Sequence, residues 1–118
     1  MKLETAVVPE QAPGFDRRSH VRYRRSDPVT VVAKGRHIPA ITVEMSQSGL
    51  SAVLSSPLNT GEAVEIYPIA GGTVQAQVRH RVGKVFGFEF LKLTEKQSRK
   101  IAKECKHLPV YTNHGLGI

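Results

Sequence analysis

The sequence predicts a mainly β fold: a six-stranded antiparallel barrel followed by a C-terminal α-helix. Three observations carry that reading. Between residues 28 and 92, six short runs rich in β-branched and aromatic residues alternate with turn-forming residues at regular spacing. In the last run Phe86, Phe88 and Phe90 recur with a period of two, so that they share one face of a strand. Beyond it, Thr94-x-x-Gln97 forms a capping box, and Ile101, Ala102, Cys105 and Leu108 make an apolar stripe at helical spacing.

The elements follow in order. Residues 1–16 mix Pro9, Pro13, Gly14, Glu4 and Glu10 without periodicity and are expected to be a disordered tail. Residues 17–27 hold five arginines in nine positions with only Val21 and Tyr23 as large apolar side chains, the pattern of an arm beside the fold. The barrel, residues 28–92, begins with Val29–Ala33, which ends at the turn Lys34-Gly35. Ile38–Met45 is the second strand, with Ile41, Val43 and Met45 on one side and Thr42 and Glu44 on the other. Leu50–Leu54 is the third, and Ala63–Tyr67 the fourth, after the turn at Asn59-Thr60-Gly61-Glu62. Gly71-Gly72 suits a hairpin into the fifth, where Val74, Ala76, Val78 and His80 alternate with Gln75, Gln77, Arg79 and Arg81. Val85–Leu91 is the sixth. The helix spans 94–108, stops at Pro109, and leaves 110–118 as a frayed end.

Composition bounds the function. At 118 residues the chain fits one domain with a core of workable size, and 40% hydrophobic with 23% charged residues is ordinary for a globular protein. The formal charge of +7 is not ordinary, and favours an anionic partner. A single cysteine, Cys105, excludes an internal disulfide and any multi-thiolate metal site, and its place on the helix stripe makes it a core residue. The five histidines, His20, His37, His80, His107 and His114, lack ligand spacing, and no catalytic constellation appears. With no apolar leader and no run of membrane-spanning length, the expectation is a cytoplasmic protein that is not an enzyme and binds no metal.

Two stretches carry chemistry. The first is Asp16–Asp27, D-R-R-S-H-V-R-Y-R-R-S-D. Guanidinium groups are planar forks that match phosphate oxygens and the O6/N7 edge of guanine, and a spacing of four lets Arg18 and Arg22 act together. Taken alone, such a stretch also reads as a solvated basic linker. The second is Glu44-Met45-Ser46-Gln47-Ser48-Gly49, between two strands. Its carboxylate can accept hydrogen bonds from guanine N1–H and the 2-amino group, its hydroxyl can bind phosphate, and Gly49 permits a positive φ and close approach to the backbone. Alone, it also reads as a turn in which a serine bonds its own backbone.

Arg18-x-x-x-Arg22 followed by Glu44-x-Ser46-x-x-Gly49, ahead of this strand pattern, resembles the signature of PilZ domains. The resemblance covers roughly Arg17 to Leu108. It implies a six-stranded barrel with a C-terminal helix, and a bacterial receptor for the second messenger cyclic di-GMP. On that resemblance Arg18 and Arg22 hold guanine and phosphate, while Glu44, Ser46 and Gly49 supply acid, hydroxyl and glycine. Arg17, an extra arginine before the motif, implies a mutually intercalated pair of cyclic di-GMP molecules. The signal would pass to a separate effector protein, with motility, adhesion or exopolysaccharide production as the usual outputs. Glu44 departs from the family, which has Asp or Asn there; one more methylene displaces the carboxylate by about 1.5 Å, and weaker binding is expected. Arg79 and Arg81, read as outward-facing, could reach a phosphate, although outward arginines are usually just solvated. Two rival readings are an adaptor that binds protein but not nucleotide, and a small-barrel nucleic-acid binder. The second lacks an exposed aromatic platform, so neither DNA nor RNA is the expected partner.

Overall fold

The computed structural model describes residues 21–110, and their order is β1 (Tyr23–Arg24), β2 (Pro28–Ala33), β3 (Arg36–Met45), β4 (Gly49–Val53), β5 (Ala63–Ile69), β6 (Gly72–Val82), β7 (Val85–Leu91) and α1 (Glu95–Cys105). The strands from β2 onward run β3–β2–β5–β6–β7–β4, all antiparallel, and β4 returns to pair with β3. That pairing closes the barrel and removes its free edges. Two of the connecting hairpins turn on residues with positive φ: Lys34-Gly35, and Ala70-Gly71, one position earlier than the glycine pair suggests.

The interior is filled as the period-two pattern requires. Phe86, Phe88 and Phe90 all face inward, with Val31, Ile66, Val74 and Val78 from the neighbouring strands. Helix α1 lies against this core through Ile101 and Cys105. Its start is fixed by the predicted box: Gln97 N–H donates to Thr94 Oγ1 and Thr94 N–H to Gln97 Oε1, both at 3.0 Å. The same Gln97 reaches across to the Thr73 carbonyl at 3.0 Å, tying the helix to β6. The helix ends at Cys105, three residues before the predicted Leu108, and its C-cap is Lys106.

Burial pushes the Cys105 thiol up from its ordinary 9.0 to about 11, with Glu104 adding to the rise and Arg25 opposing it. A raised pKa means that the unfolded chain loses this proton first. The contribution is fully present below pH 9 and is lost as pH rises through about 11. Chemical denaturation at pH 8, 9.5 and 11 should therefore show a fall over that window which Cys105→Ala does not share.

Two strands depart from simple alternation. In β3 the register shifts between Thr42 and Glu44. Thr42 and Met45 are consequently both buried, while Ile41, which the sequence placed on the same side as Met45, is 46% exposed. The buried Thr42 hydroxyl is satisfied by Asp27, accepting from its N–H at 2.9 Å and donating to its carbonyl at 3.2 Å. In β6 the shift falls between Val78 and His80. Arg81 then stands opposite Phe86 with its guanidinium 5.0 Å from the ring centroid, and His80 stands opposite Gly87.

The end of the arginine stretch is part of the fold. β1 pairs with the end of β3, Tyr23 opposite Met45 and Arg24 opposite Glu44. Arg24 N–H donates to Pro109 O at 2.7 Å, and Tyr23 bridges to Val110, so β1 also meets the chain beyond the helix. Arg25 is buried, with its guanidinium contacting Asp27, Met45, Pro68 and Glu104. It is a structural residue where the sequence suggested a free arm.

Candidate functional site

The end of β3 is flanked by β1 on one side and β4 on the other. The bulge before Glu44 turns its side chain toward a cleft on the barrel wall, also bordered by Arg22, Ser46, Gly49, His80 and Gly87. Arg22 Nη1 donates to Glu44 Oε2 at 3.3 Å. The other oxygen, Oε1, is buried and has no hydrogen-bond partner. A buried carboxylate oxygen without a donor is costly, and marks a place where a ligand N–H would be favourable.

The turn from β3 to β4 is built by its serines. Ser46 N–H donates to Gly49 O at 2.8 Å, Ser48 N–H donates to Ser46 Oγ at 3.1 Å, and the two hydroxyls lie 3.1 Å apart. The Ser46 hydroxyl is thus engaged within the turn, as a serine-stabilised turn requires. Gly49 does not have a positive φ; the need for glycine is different. A Cβ at this position would be driven into the Phe88 carbonyl of β7. The turn is held there by Phe90 N–H donating to Ser48 O at 2.9 Å. Close strand approach, more than room for a ligand, accounts for Gly49.

Of the residues singled out by sequence, Arg22, Glu44, Ser46 and Gly49 come together at this cleft. Arg17 and Arg18 lie outside the described residues. Arg79 also borders the cleft but is held along the strand surface by Glu89 at 3.4 Å and Gln77 at 3.2 Å. Arg81 does not reach it; the bulge turns it over Phe86, where it donates to Gly83 O at 2.7 Å. His80 and Gly87, assigned no role by the sequence, do line it. A polar His80 continuing the inward phase of Val74, Ala76 and Val78 was the only available sign of the bulge.

The arrangement is a small concavity with a guanidinium, an incompletely satisfied carboxylate and a tight polar turn. It offers donors and acceptors for a polar anion. Among the described residues, no three His, Cys, Asp or Glu side chains cluster as a metal site. No helix among them is long and apolar enough to cross a membrane.

The PilZ domain family model matches residues 16–106. The chain belongs to the PilZ domain family. Solved PilZ structures share its fold. The PilZ domain of CeSA from a cellulose-synthesizing bacterium aligns at a TM-score of 0.60 and 16% identity, over 82% of this chain and 98% of that one. The PilZ domain of YcgR from Escherichia coli, solved with c-di-GMP, aligns at 0.59 and 21%, over 79% and 92%. MotI/DgrA, the inhibitor of motility of Bacillus subtilis, aligns at 0.61 and 18%, over 78% of this chain but only 50% of that one. This chain therefore spans about half of the motility inhibitor and nearly all of the two isolated PilZ domains. No curated protein sequence matches the chain.

Proposed function

We propose that this chain is a receptor for cyclic di-GMP that signals to a separate protein. The observation that carries the proposal is the half-satisfied Glu44 carboxylate in a cleft that it shares with Arg22. Guanine offers what Glu44 Oε1 lacks, adjacent N–H donors, while its O6/N7 edge and the phosphates suit arginine. Membership of the PilZ family and a fold shared with a YcgR domain solved with c-di-GMP support the same ligand.

In this reading Arg22 and Arg18 bind guanine edge and phosphate, Glu44 accepts from the base, and Ser46 and Gly49 shape the turn against which the ligand sits. Arg17 adds a second ligand molecule, giving an intercalated pair. The ligand competes with the Arg22–Glu44 ion pair, so part of its binding energy offsets that contact. Binding brings negative charge to a strongly basic chain and alters the surface around the arm, which a partner protein recognises. The role is one of binding, in the cytoplasm, without a chemical step.

Amide chemical shifts during titration with cyclic di-GMP test the location. The largest changes are expected at Arg22, Glu44 and Ser46–Gly49, saturating together. Changes spread over the basic face of α1, and growing steeply weaker with salt, would instead indicate general polyanion binding.

A further inference from the structure

The bulge in β6 places His80 opposite Gly87 of β7 and brings both to the cleft that holds Arg22 and Glu44. Phe86 and Phe88, on either side of Gly87, point into the core, so its missing side chain would lie on the outer wall. The His80 imidazole occupies that place: its Cε1, Nε2 and Nδ1 atoms all lie where a Cβ at position 87 would be. The ring therefore lies over the glycine. Glycine within a strand loses packing and is conformationally costly, which points to close approach as its reason here. His80 itself is half-buried.

We propose that His80 is a ligand-binding residue of this site: its imidazole is the platform against which a purine ring of the ligand lies, and Gly87 leaves the space that the ring occupies. The inference deepens the cyclic di-GMP reading and rests on it. Every base has a π-face, so a planar side chain at the base of a polar cleft adds affinity that the arginine and carboxylate contacts do not supply. Stacking orients the base in one plane, while Glu44 and Arg22 read its edge. Neither sequence stretch that carries the polar contacts includes this residue, because it comes from a different strand.

The test is the affinity of cyclic di-GMP for wild type, His80→Ala, His80→Phe and Gly87→Ala, with proton spectra of the bound ligand. His80→Ala is expected to weaken binding about tenfold. His80→Phe, which keeps a planar ring, should stay within about threefold of wild type. Gly87→Ala displaces the ring and should weaken binding as His80→Ala does. Guanine H8 should move further upfield on binding to wild type and to His80→Phe than on binding to His80→Ala. Wild-type affinity in His80→Ala, or an H8 shift of the same size with and without the ring, overturns the platform while leaving the receptor reading standing. Failure of the wild type to bind overturns both.

Discussion

Arg25→Ala is expected to destabilise the fold by about 3 kcal/mol, the largest stability loss among Arg22, Arg24 and Arg25. The side chain is only 6% exposed and its contacts reach four parts of the chain. Nε donates to Asp27 Oδ2 at 3.1 Å, Nη1 approaches Met45 Sδ at 3.3 Å, and Nη2 donates to Pro68 O at 3.4 Å and faces Glu104 Oε2 at 3.6 Å. Asp27 is 59% exposed, so its ion pair is screened and contributes little. Most of the loss comes from the cavity beneath the guanidinium, the orphaned Pro68 carbonyl and the released helix end. For a fold of this size that corresponds to a melting temperature lower by roughly 10 °C. Arg25→Met, which keeps the stem packed, should recover part of it. Thermal unfolding of the three proteins checks the prediction, and equal melting temperatures would mean that the buried contacts are energetically idle.

Arg22→Ala should behave in the opposite way. Its pair with Glu44 is partly exposed, with side chains 30% and 17% accessible, and such pairs contribute about 1 kcal/mol or less to stability. Its expected effect is on ligand affinity. A charge-assisted hydrogen bond to guanine or phosphate contributes roughly 1.5–3 kcal/mol, so its loss weakens cyclic di-GMP binding at least about tenfold. The two neighbouring arginines thus separate stability from binding: Arg25 holds the segment in place, and Arg22 presents its charge to the cleft. A calorimetric titration alongside a melting curve for each variant checks this division. An Arg22→Ala protein that binds as wild type would remove Arg22 from the site.

The barrel was legible because it depends on period-two burial, and Phe86, Phe88 and Phe90 announce that period without ambiguity. The helix was legible from its cap, whose two reciprocal hydrogen bonds depend only on residues three apart. What the sequence concealed are the two bulges. A bulge inserts one residue into a strand and reverses the face of everything after it, yet alters no composition. In β3 it brought Met45 inside after Ile38, Ala40 and Thr42, and in β6 it brought His80 to the cleft and carried Arg81 away from it. Arg25 was concealed for another reason. Nothing local distinguishes it from Arg24; only the positions of Met45, Pro68 and Glu104, distant in sequence, make it a buried residue. The motif residues Arg22, Glu44, Ser46 and Gly49 could be named from spacing, but the engaged Ser46 hydroxyl and the strand contact behind Gly49 required coordinates.

The central claim is that the Arg22–Glu44 cleft takes cyclic di-GMP, and calorimetric titration of the wild-type chain at physiological salt tests it most directly, with GTP as control. The account predicts saturable binding at micromolar concentrations or tighter, no comparable heat from GTP, and a stoichiometry near two if Arg17 supports a ligand pair. Absence of heat with cyclic di-GMP at high protein concentration would contradict it.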